Sequence, residues 1–367
     1  MGVLMLGLQP LVLGALLDEH RLSVAQLTQA AMLEQLALGI TAGALGAFAA
    51  RRHLRVYACV GCLVLAAANA ACVGAHGMSF ILWRGVSGLG GGIALWIAAG
   101  VVAFSPTPAR LAAFFVGAQA VLQGLLAALL PITLMPTMGA NGGLASMGAL
   151  SVASLLLVRL LPVGLPEPAR HEIGPGRLGV GAYAGLIASF FFMAAIVGLW
   201  VFVEPLAASS HISPAVARFA VAANLAAQCL AAALLSILGT RLARVSGWVL
   251  IGGCAALLLA LVLLFDNPHE ATFLAAVLLH GFVWSVGLTF YVPLLIRADP
   301  TRRAAILLAG AQMLGGSAGP IITGMFATET RLIPVLLSAV LLTSIALVGT
   351  VVASFHPGRG YPHQEPV

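Results

Sequence analysis

The 367-residue chain contains no lysine, and charged residues of both signs make up only 8% of it. Soluble domains carry roughly 25% charged residues, so this chain cannot cover itself with an ordinary aqueous surface. Hydrophobic residues account for 61% of the chain, and its mean hydropathy is +1.08. The shortage of charge therefore indicates that most of the protein surface faces lipid rather than water.

Long runs in which polar and apolar residues alternate are also missing. The apolar stretch 255–265 shows no alternation, although the strands of a transmembrane barrel require it. A helix of about 20 apolar residues crosses a bilayer, so the sequence predicts an all-α, polytopic membrane protein with about twelve spans. The predicted spans are residues 1–17, 26–49, 56–75, 79–103, 111–135, 143–161, 178–206, 215–238, 247–265, 270–295, 304–327 and 331–354.

The basic residues are all arginine, and most of them lie on alternate connectors between these spans. This set comprises Arg51, Arg52, Arg55, Arg110, Arg159, Arg170, Arg177, Arg241, Arg244, Arg297, Arg302, Arg303 and Arg359. The positive-inside rule predicts that these connectors and the C-terminus are cytoplasmic. Because the arginines lie in short turns rather than along one stripe, they do not predict a nucleic-acid partner. The lack of lysine beside abundant Ala and Gly is typical of GC-rich coding, which favours a bacterial inner (plasma) membrane.

Recognisable catalytic sites are missing as well. The spans contain no His-Glu zinc motif and no aspartate dyad. The glycine-rich run 88–92 lies inside an apolar span and follows no strand, so it does not predict a nucleotide-binding loop. All five cysteines lie within apolar stretches, as small buried hydrophobic residues do. These absences argue against an enzyme, and we predict neither a metal nor another cofactor.

One short segment occurs twice, once in each half of the chain. Gly117-Ala118-Gln119 recurs as Gly310-Ala311-Gln312, at an offset of 310 − 117 = 193 residues. Two further pairs share this offset: Gly46 with Gly239, and Arg51 with Arg244. Two halves of equal orientation predict a parallel repeat, in which two six-helix bundles are related by a pseudo-two-fold axis along the membrane normal.

The repeat and a connector rich in Pro and Gly also predict the domain organisation. The predicted division is an N-terminal bundle at 1–161, a cytoplasmic linker at 162–177, a C-terminal bundle at 178–354 and a cytoplasmic tail at 355–367. Glu204-Pro205 follows the start of its span by 204 − 178 = 26 residues, whereas its counterpart Gln9-Pro10 has only eight residues before it. We therefore expect a truncated first helix and a native start upstream of Met1.

Two motifs carry a family resemblance. In a loop pattern G-x-x-x-D-R-x-G-R, Gly46 and Arg51 match the first glycine and first arginine, whereas Ala50 and His53 replace the acidic residue and the second glycine. The fourth predicted span matches a second pattern, R-x-x-x-G-x-G, through Arg84, Gly88 and Gly90.

In the order and position of these motifs, the chain resembles the major facilitator superfamily over nearly its whole length. The resemblance implies a fold of two six-helix bundles in which every third helix lies outside a central cavity. It also implies a coupling role for Arg84 and a conformational role for a loop that contains Gly46 and Arg51, with Gly239 and Arg244 as their repeat counterparts.

Polar residues inside the spans are the candidate functional residues, because they are costly in a membrane. We predict that Glu34 carries a coupling proton with Arg84 as its partner; a permanent ion pair is the alternative interpretation. The predicted substrate cavity comprises Gln9, Gln119, Gln123, Glu204, Asn224, Gln228, His280, Trp284 and Gln312. Interhelical hydrogen bonding is the alternative for the amide pairs, and a satisfied buried histidine is the alternative for His280.

Together these features predict a secondary active transporter. Its partners would be a small organic solute, protons or another coupling ion, and membrane lipid. Anionic and amphipathic compounds are the candidate solute classes, and we expect a monomer. The alternatives are an efflux pump for hydrophobic compounds and a transport-inactive receptor or scaffold of the same fold.

Overall fold

The computed structural model describes residues 4–166, 178–265, 268–325 and 333–358, without the side chains of residues 4–7, 9, 10, 24 and 218. Within these ranges the regular structure is helical and no β-strand occurs. The helices are α1 (Leu4–Asp18), α2 (Val24–Phe48), α3 (Leu54–Cys72), α4 (Gly77–Phe104), α5 (Pro108–Leu129), α6 (Met135–Met138), α7 (Ala140–Ser154), α8 (Val180–Val201), α9 (Val203–Ser209), α10 (Pro214–Leu242), α11 (Ser246–Leu263), α12 (Glu270–Ala298), α13 (Arg303–Gly324) and α14 (Ile333–Phe355).

Each of the longer helices overlaps one of the predicted spans; only α6 and α9, among the described residues, are short additions. Ten stretches are long and apolar enough to cross a membrane, and one of them, Pro214–Leu263, contains both α10 and α11. Helix α1 has 15 residues and is not among these stretches. The predicted all-α, polytopic fold is confirmed.

The predicted span 178–206 is divided between two helices. The structure has two helices there, α8 and α9, and the chain breaks between them at Phe202, where φ is −101° and ψ is 6°. Pro205 has no N–H to donate to the carbonyl of Val201, and its ring would collide with that carbonyl in a continuous helix. The proline therefore separates the two helices.

Two compact units divide the chain. Unit 1 contains Met1–Val101 and Ala118–Glu167, and unit 2 contains Val102–Gly117 and Pro168–Val367. The predicted bundles and linker stay a prediction. Residues 167–177 of the linker and 359–367 of the tail lie outside the described part of the chain.

In unit 1, α4 packs closely on α2 through two glycines four residues apart. A Cβ atom at Gly92 would lie 2.6 Å from the carbonyl oxygen of Leu38, and one at Gly88 would collide with the carbonyl oxygen of Glu34. Small residues at this spacing allow helix backbones to approach each other in a membrane. This close approach brings Arg84, one turn before Gly88, next to Glu34.

One arginine holds the connectors at one end of unit 1. The Arg21 guanidinium donates to the carbonyl oxygens of Cys72 (3.1 Å) and Ala75 (2.8 Å), at the end of α3. It also donates to Oδ1 of Asn141 on α7, at 2.8 Å. Carbonyls at the end of a helix lack partners within that helix. The Arg21 side chain donates hydrogen bonds to such carbonyls, and it thereby ties the connector after α1 to α3 and α7.

In unit 2, α12 is held by both α8 and α14. Phe192 on α8 meets Tyr291 on α12 edge-on, with ring centroids 5.6 Å apart. The Tyr291 hydroxyl lies 3.0 Å from Oγ1 of Thr350 on α14. All three side chains are fully buried, and buried hydroxyl groups require a hydrogen-bond partner. These contacts fix the position of α12, which carries His280 and Trp284 on its preceding turns.

Candidate functional site

The charged residues buried within the spans of unit 1 form one cluster where α2, α3 and α4 meet. Arg84 bonds Glu34 twice: its Nε donates to Oε2 at 3.2 Å, and its Nη2 donates to Oε1. Arg84 is 1% exposed and Glu34 is 6% exposed. Two charge-assisted bonds between the same groups make a strong and directional pair. The ion pair is present, and its two charges cancel; proton transfer through it stays a prediction.

Asn69 on α3 is the third member of this cluster. Nη1 of Arg84 donates to Oδ1 of Asn69 at 3.0 Å, and Nδ2 of Asn69 donates to the carbonyl of Leu65 at 2.8 Å. Ser87 lies at the margin, with its Oγ 3.5 Å from Oε1 of Glu34. Asn69 was not among the predicted site residues. The available signal was an amide in an otherwise apolar span.

In unit 2, His280 on α12 lies between a backbone carbonyl and an amide. Its Nε2 is 3.1 Å from the carbonyl oxygen of Ile196 on α8, and its Nδ1 is 3.0 Å from Nδ2 of Asn224 on α10. Because a carbonyl only accepts, Nε2 of His280 carries a hydrogen. Nδ2 of Asn224 also donates to the carbonyl of Val277 at 2.9 Å, so Nδ1 of His280 faces a donor and accepts. The pattern requires a neutral His280.

The same hydrogen-bonded chain continues to Gln228, one turn further along α10. Nε2 of Gln228 donates to Oδ1 of Asn224 at 2.8 Å. Both ring nitrogens of His280 and both N–H groups of Asn224 are therefore used within unit 2. Gln228 is half-buried, and among the described residues nothing donates to its Oε1.

Two tryptophans surround His280. The Trp200 ring on α8 stacks on the imidazole with centroids 6.0 Å apart and an interplanar angle of 9°. Trp284 meets the imidazole edge-on at 5.8 Å and Trp200 at 6.3 Å. Both tryptophans are half-buried, whereas His280 is 2% exposed. The predicted cavity residues Asn224, Gln228, His280 and Trp284 therefore belong to one cluster, to which the structure adds Trp200.

The other predicted cavity residues lie apart in the sequence and differ in burial. Gln119 is half-buried and Gln123 is buried, both on α5. Gln312 on α13 is buried, and within the described residues its Nε2 has no hydrogen-bond partner. Glu204 is exposed in the first turn of α9. Gln9 belongs to α1, but its side chain is outside the described residues. Their roles in a cavity stay predictions.

The predicted conformational residues of unit 1 lie near the connector from α2 to α3. The carbonyl oxygen of Arg51 accepts a hydrogen bond from the backbone N–H of Leu165 at 2.8 Å, so this connector is tied to the segment that follows α7. Gly46 is half-buried, two residues before the end of α2. The geometry gives Arg51 a backbone contact, and a conformational role stays a prediction.

Their counterparts in unit 2 make different contacts. The carbonyl oxygen of Arg244 accepts from Nη1 of Arg297, at the end of α12, at 2.5 Å. Gly239 faces the start of α5, where an added Cβ would lie 3.4 Å from the backbone of Ala109. Both connectors are therefore held through backbone atoms rather than through the arginine side chains alone.

No protein-family model and no curated protein sequence matches this chain. Solved structures do match. The E. coli fucose:proton symporter FucP, in an outward conformation, is 11% identical, and 96% of this chain aligns with 97% of FucP at a TM-score of 0.73. The proton:xylose symporter XylE is 15% identical, with 95% and 92% covered and a TM-score of 0.69. The human organic anion transporter MFSD10 is 13% identical, with 94% and 89% covered and a TM-score of 0.68.

The chain therefore has the major facilitator superfamily fold along nearly its whole length, as the sequence motifs implied. The solved structures that share this fold are transporters rather than enzymes. With its many apolar helices, the chain is a multi-pass membrane protein. At 11–15% identity the likeness establishes the fold and carries no substrate with it.

Proposed function

We propose that this protein is a secondary active transporter that moves a small organic solute by alternating access, coupled to protons. FucP and XylE are described as proton symporters and MFSD10 as an organic anion transporter, and their shared fold supports a transport role. The sequence predicts no nucleotide-binding loop, so an ion or solute gradient is the expected driving force.

The buried Glu34–Arg84 ion pair is the observation that carries the coupling proposal. Moving charges out of water costs several kcal/mol per ion, and pairing repays this only in part, so a buried ion pair is poor evidence of a purely stabilising role. A proton on Glu34 removes the negative charge that holds Arg84. We assign Glu34 as the proton carrier and Arg84 as the group that responds to its charge.

Asn69 gives the cluster a second anchor for Arg84. When Glu34 is neutral, Oδ1 of Asn69 on α3 still accepts a hydrogen bond from Nη1 of Arg84. Protonation therefore weakens the link between α4 and α2 while the link between α4 and α3 persists. A proton can in this way change the contacts among the helices of unit 1, and we propose that this change is coupled to the alternating-access cycle.

The remaining parts of the proposal follow from the sequence. The predicted cavity residues line the solute path, and Arg51 and Arg244 with their glycines act in the cytoplasmic connectors. The protein is a monomer of a bacterial inner membrane, with its C-terminus in the cytoplasm.

A transport assay that does not presuppose the solute tests this function. Purified full-length protein is reconstituted into liposomes, which are incubated with a soluble bacterial metabolite extract under an imposed pH gradient. Mass spectrometry then identifies compounds that accumulate above the level in protein-free liposomes. We expect gradient-driven accumulation with the wild type and its loss in Glu34→Gln. Glu270→Gln, an exposed carboxylate at the start of α12, is the matched control and should behave as the wild type.

Three outcomes would contradict parts of this proposal. No accumulation of any compound, in either direction, would favour the receptor or scaffold alternative. Gradient-driven accumulation by Glu34→Gln at the wild-type rate would remove Glu34 as the proton carrier. Accumulation of many unrelated hydrophobic compounds in inside-out vesicles would favour the efflux-pump alternative.

A further inference from the structure

The buried groups of the described spans leave no unpaired positive charge for a solute. Arg84 is the one arginine buried within a span in the described part of the chain, and Glu34 neutralises it through two bonds. His280 on α12 lies 280 − 84 = 196 residues after Arg84, within one helical turn of the 193-residue offset of the repeat, and its hydrogen bonds require a neutral ring. An anionic solute beside His280 would therefore lose its hydration without meeting a positive charge. Burying an unpaired charge in this way costs free energy.

The direction of the hydrogen bonds in unit 2 determines what Gln228 presents. The carbonyl oxygens of Ile196 and Val277 accept only, which orients first His280 and then Asn224. The remaining atom of the Asn224 amide, Oδ1, takes the N–H of Gln228. The amide of Gln228 is thereby oriented with Oε1 away from the chain, as an acceptor that lacks a donor among the described residues.

Two indole rings belong to the same network of contacts as this acceptor, since Trp200 and Trp284 both pack on His280, which is linked through Asn224 to Gln228. The hydroxyl of Ser285, the residue after Trp284, donates to the backbone carbonyl of Gln228 at 3.1 Å, which places Trp284 and Gln228 on adjacent turns of α12 and α10. Trp284 and Trp200 are both half-buried, so part of each indole remains accessible. Aromatic side chains bind flat, weakly polar rings through their faces and edges.

We infer that Trp200, Trp284 and Oε1 of Gln228 form a binding subsite for an uncharged solute that has a ring and a hydrogen-bond donor, such as a hydroxyl group. Within the predicted cavity, His280 and Asn224 are positioning residues, because they hold the Gln228 amide in the accepting orientation. The inference rests on the proposed transport function, because it names the solute class of that same site.

The test uses the reconstituted full-length protein and the metabolite extract described above. We expect the accumulated compound to be neutral at pH 7 and to carry a ring with a donor group. Trp284→Leu and Gln228→Leu should each lower its initial uptake rate by about 10-fold, which corresponds to about 1.4 kcal/mol. Trp248→Leu is the matched control, since Trp248 lies 67% exposed on α11. It should transport as the wild type does.

Two conservative variants keep the test decisive if a leucine variant fails to fold. Trp284→Phe keeps an aromatic face, and Gln228→Asn keeps an amide on a shorter stem. Each should retain more uptake than its leucine counterpart, and size-exclusion profiles confirm that the variants compared are folded. Uptake by folded Trp284→Phe no higher than in protein-free liposomes would overturn the inference, because this variant keeps the aromatic face assigned to the solute.

The outcomes separate this inference from the transport proposal. Accumulation of an anionic or a cationic compound would leave transport intact and overturn the assigned solute class. Accumulation of a neutral ring compound at wild-type rates by folded Trp284→Leu and Gln228→Leu would overturn the assigned subsite. No accumulation at all would contradict the transport function itself, and the subsite with it.

Discussion

The two buried polar clusters occupy related places in the repeat and solve the problem of burial differently. In unit 1, Arg84 on α4 is held by the carboxylate of Glu34 and the amide of Asn69. In unit 2, His280 on α12 is held by the Ile196 carbonyl and the Asn224 amide. One cluster balances two opposite charges, and the other contains only neutral groups.

This difference indicates a division of labour between the units. A single proton can unbalance a cluster in which a carboxylate holds a guanidinium, because it removes one of the two charges. In unit 2, backbone carbonyls that only accept fix the direction of the hydrogen bonds through His280, Asn224 and Gln228. Reversing any one of these bonds would leave a buried polar group without a partner, so the arrangement resists change. The proposed response to protons therefore belongs to unit 1, and the proposed solute subsite belongs to unit 2.

The largest expected effect comes from removing the cation of unit 1. Arg84→Met leaves the Glu34 carboxylate buried and unpaired, so we expect the free energy of unfolding to fall by about 3–5 kcal/mol. The double variant Arg84→Met with Glu34→Gln removes both charges and should recover much of this loss. Denaturant unfolding of the purified proteins measures the free energy of unfolding of the single and the double variant. Equal losses in the single and double variants would show that the ion pair is not the cause.

The converse exchange introduces a charge into the neutral cluster. His280→Arg brings a guanidinium to a site whose described hydrogen-bond partners carry no negative charge. We expect a loss of about 2.5–3.5 kcal/mol, the cost of an arginine at the centre of a membrane helix. His280→Gln, which stays neutral, should lose clearly less. Equal losses in the free energy of unfolding for His280→Arg and His280→Gln would contradict the difference between the two units.

The two asparagines provide a finer comparison. Asn224→Leu removes the partner of Nδ1 of His280 and of Nε2 of Gln228, and we expect a loss of about 1–3 kcal/mol. Asn69→Leu removes one acceptor from Arg84 but leaves both bonds to Glu34, so its effect should be the smaller. Thermal unfolding of the two variants side by side measures the difference. A larger loss of stability in Asn69→Leu than in Asn224→Leu would mean that the Glu34–Arg84 ion pair depends on the Asn69 amide.

The smallest expected effect belongs to Ser87 in unit 1. Its hydroxyl lies 3.5 Å from Oε1 of Glu34, at the limit for a hydrogen bond. Ser87→Ala should therefore change the free energy of unfolding by about 0.5 kcal/mol or less. The same unfolding assay applies. A loss comparable to that of Asn69→Leu would show that Ser87 is a full member of the charged cluster.

Much of the fold could be predicted from the sequence, because it depends on local composition. The apolar runs marked the longer helices, and the motifs around Gly46 and Arg84 indicated the fold family. The sequence also contained the signal for the division of the span 178–206 into two helices, since Pro205 lies inside it. There the apolar run outweighed the local signal of a proline that interrupts the helical hydrogen bonds.

The candidate site was less predictable, because its contacts join residues far apart in the chain. Glu34 and Arg84 were predicted as partners, since ionisable groups in a membrane are expected to pair. Asn69 was missed because its span otherwise showed no polar pattern. The direction of the hydrogen bonds through Asn224 had no sequence signature.

The sequence by itself determined that this is a multi-pass helical protein, where its helices run and which ionisable groups they contain. These properties follow from which residues are apolar and which are charged, and each residue carries that information alone. Only the tertiary structure decided that the charge of Arg84 is cancelled and that His280 is neutral. Both properties depend on which donor faces which acceptor, across α2, α3 and α4 for Arg84 and across α8, α10 and α12 for His280. The packing of these helices determines those pairings.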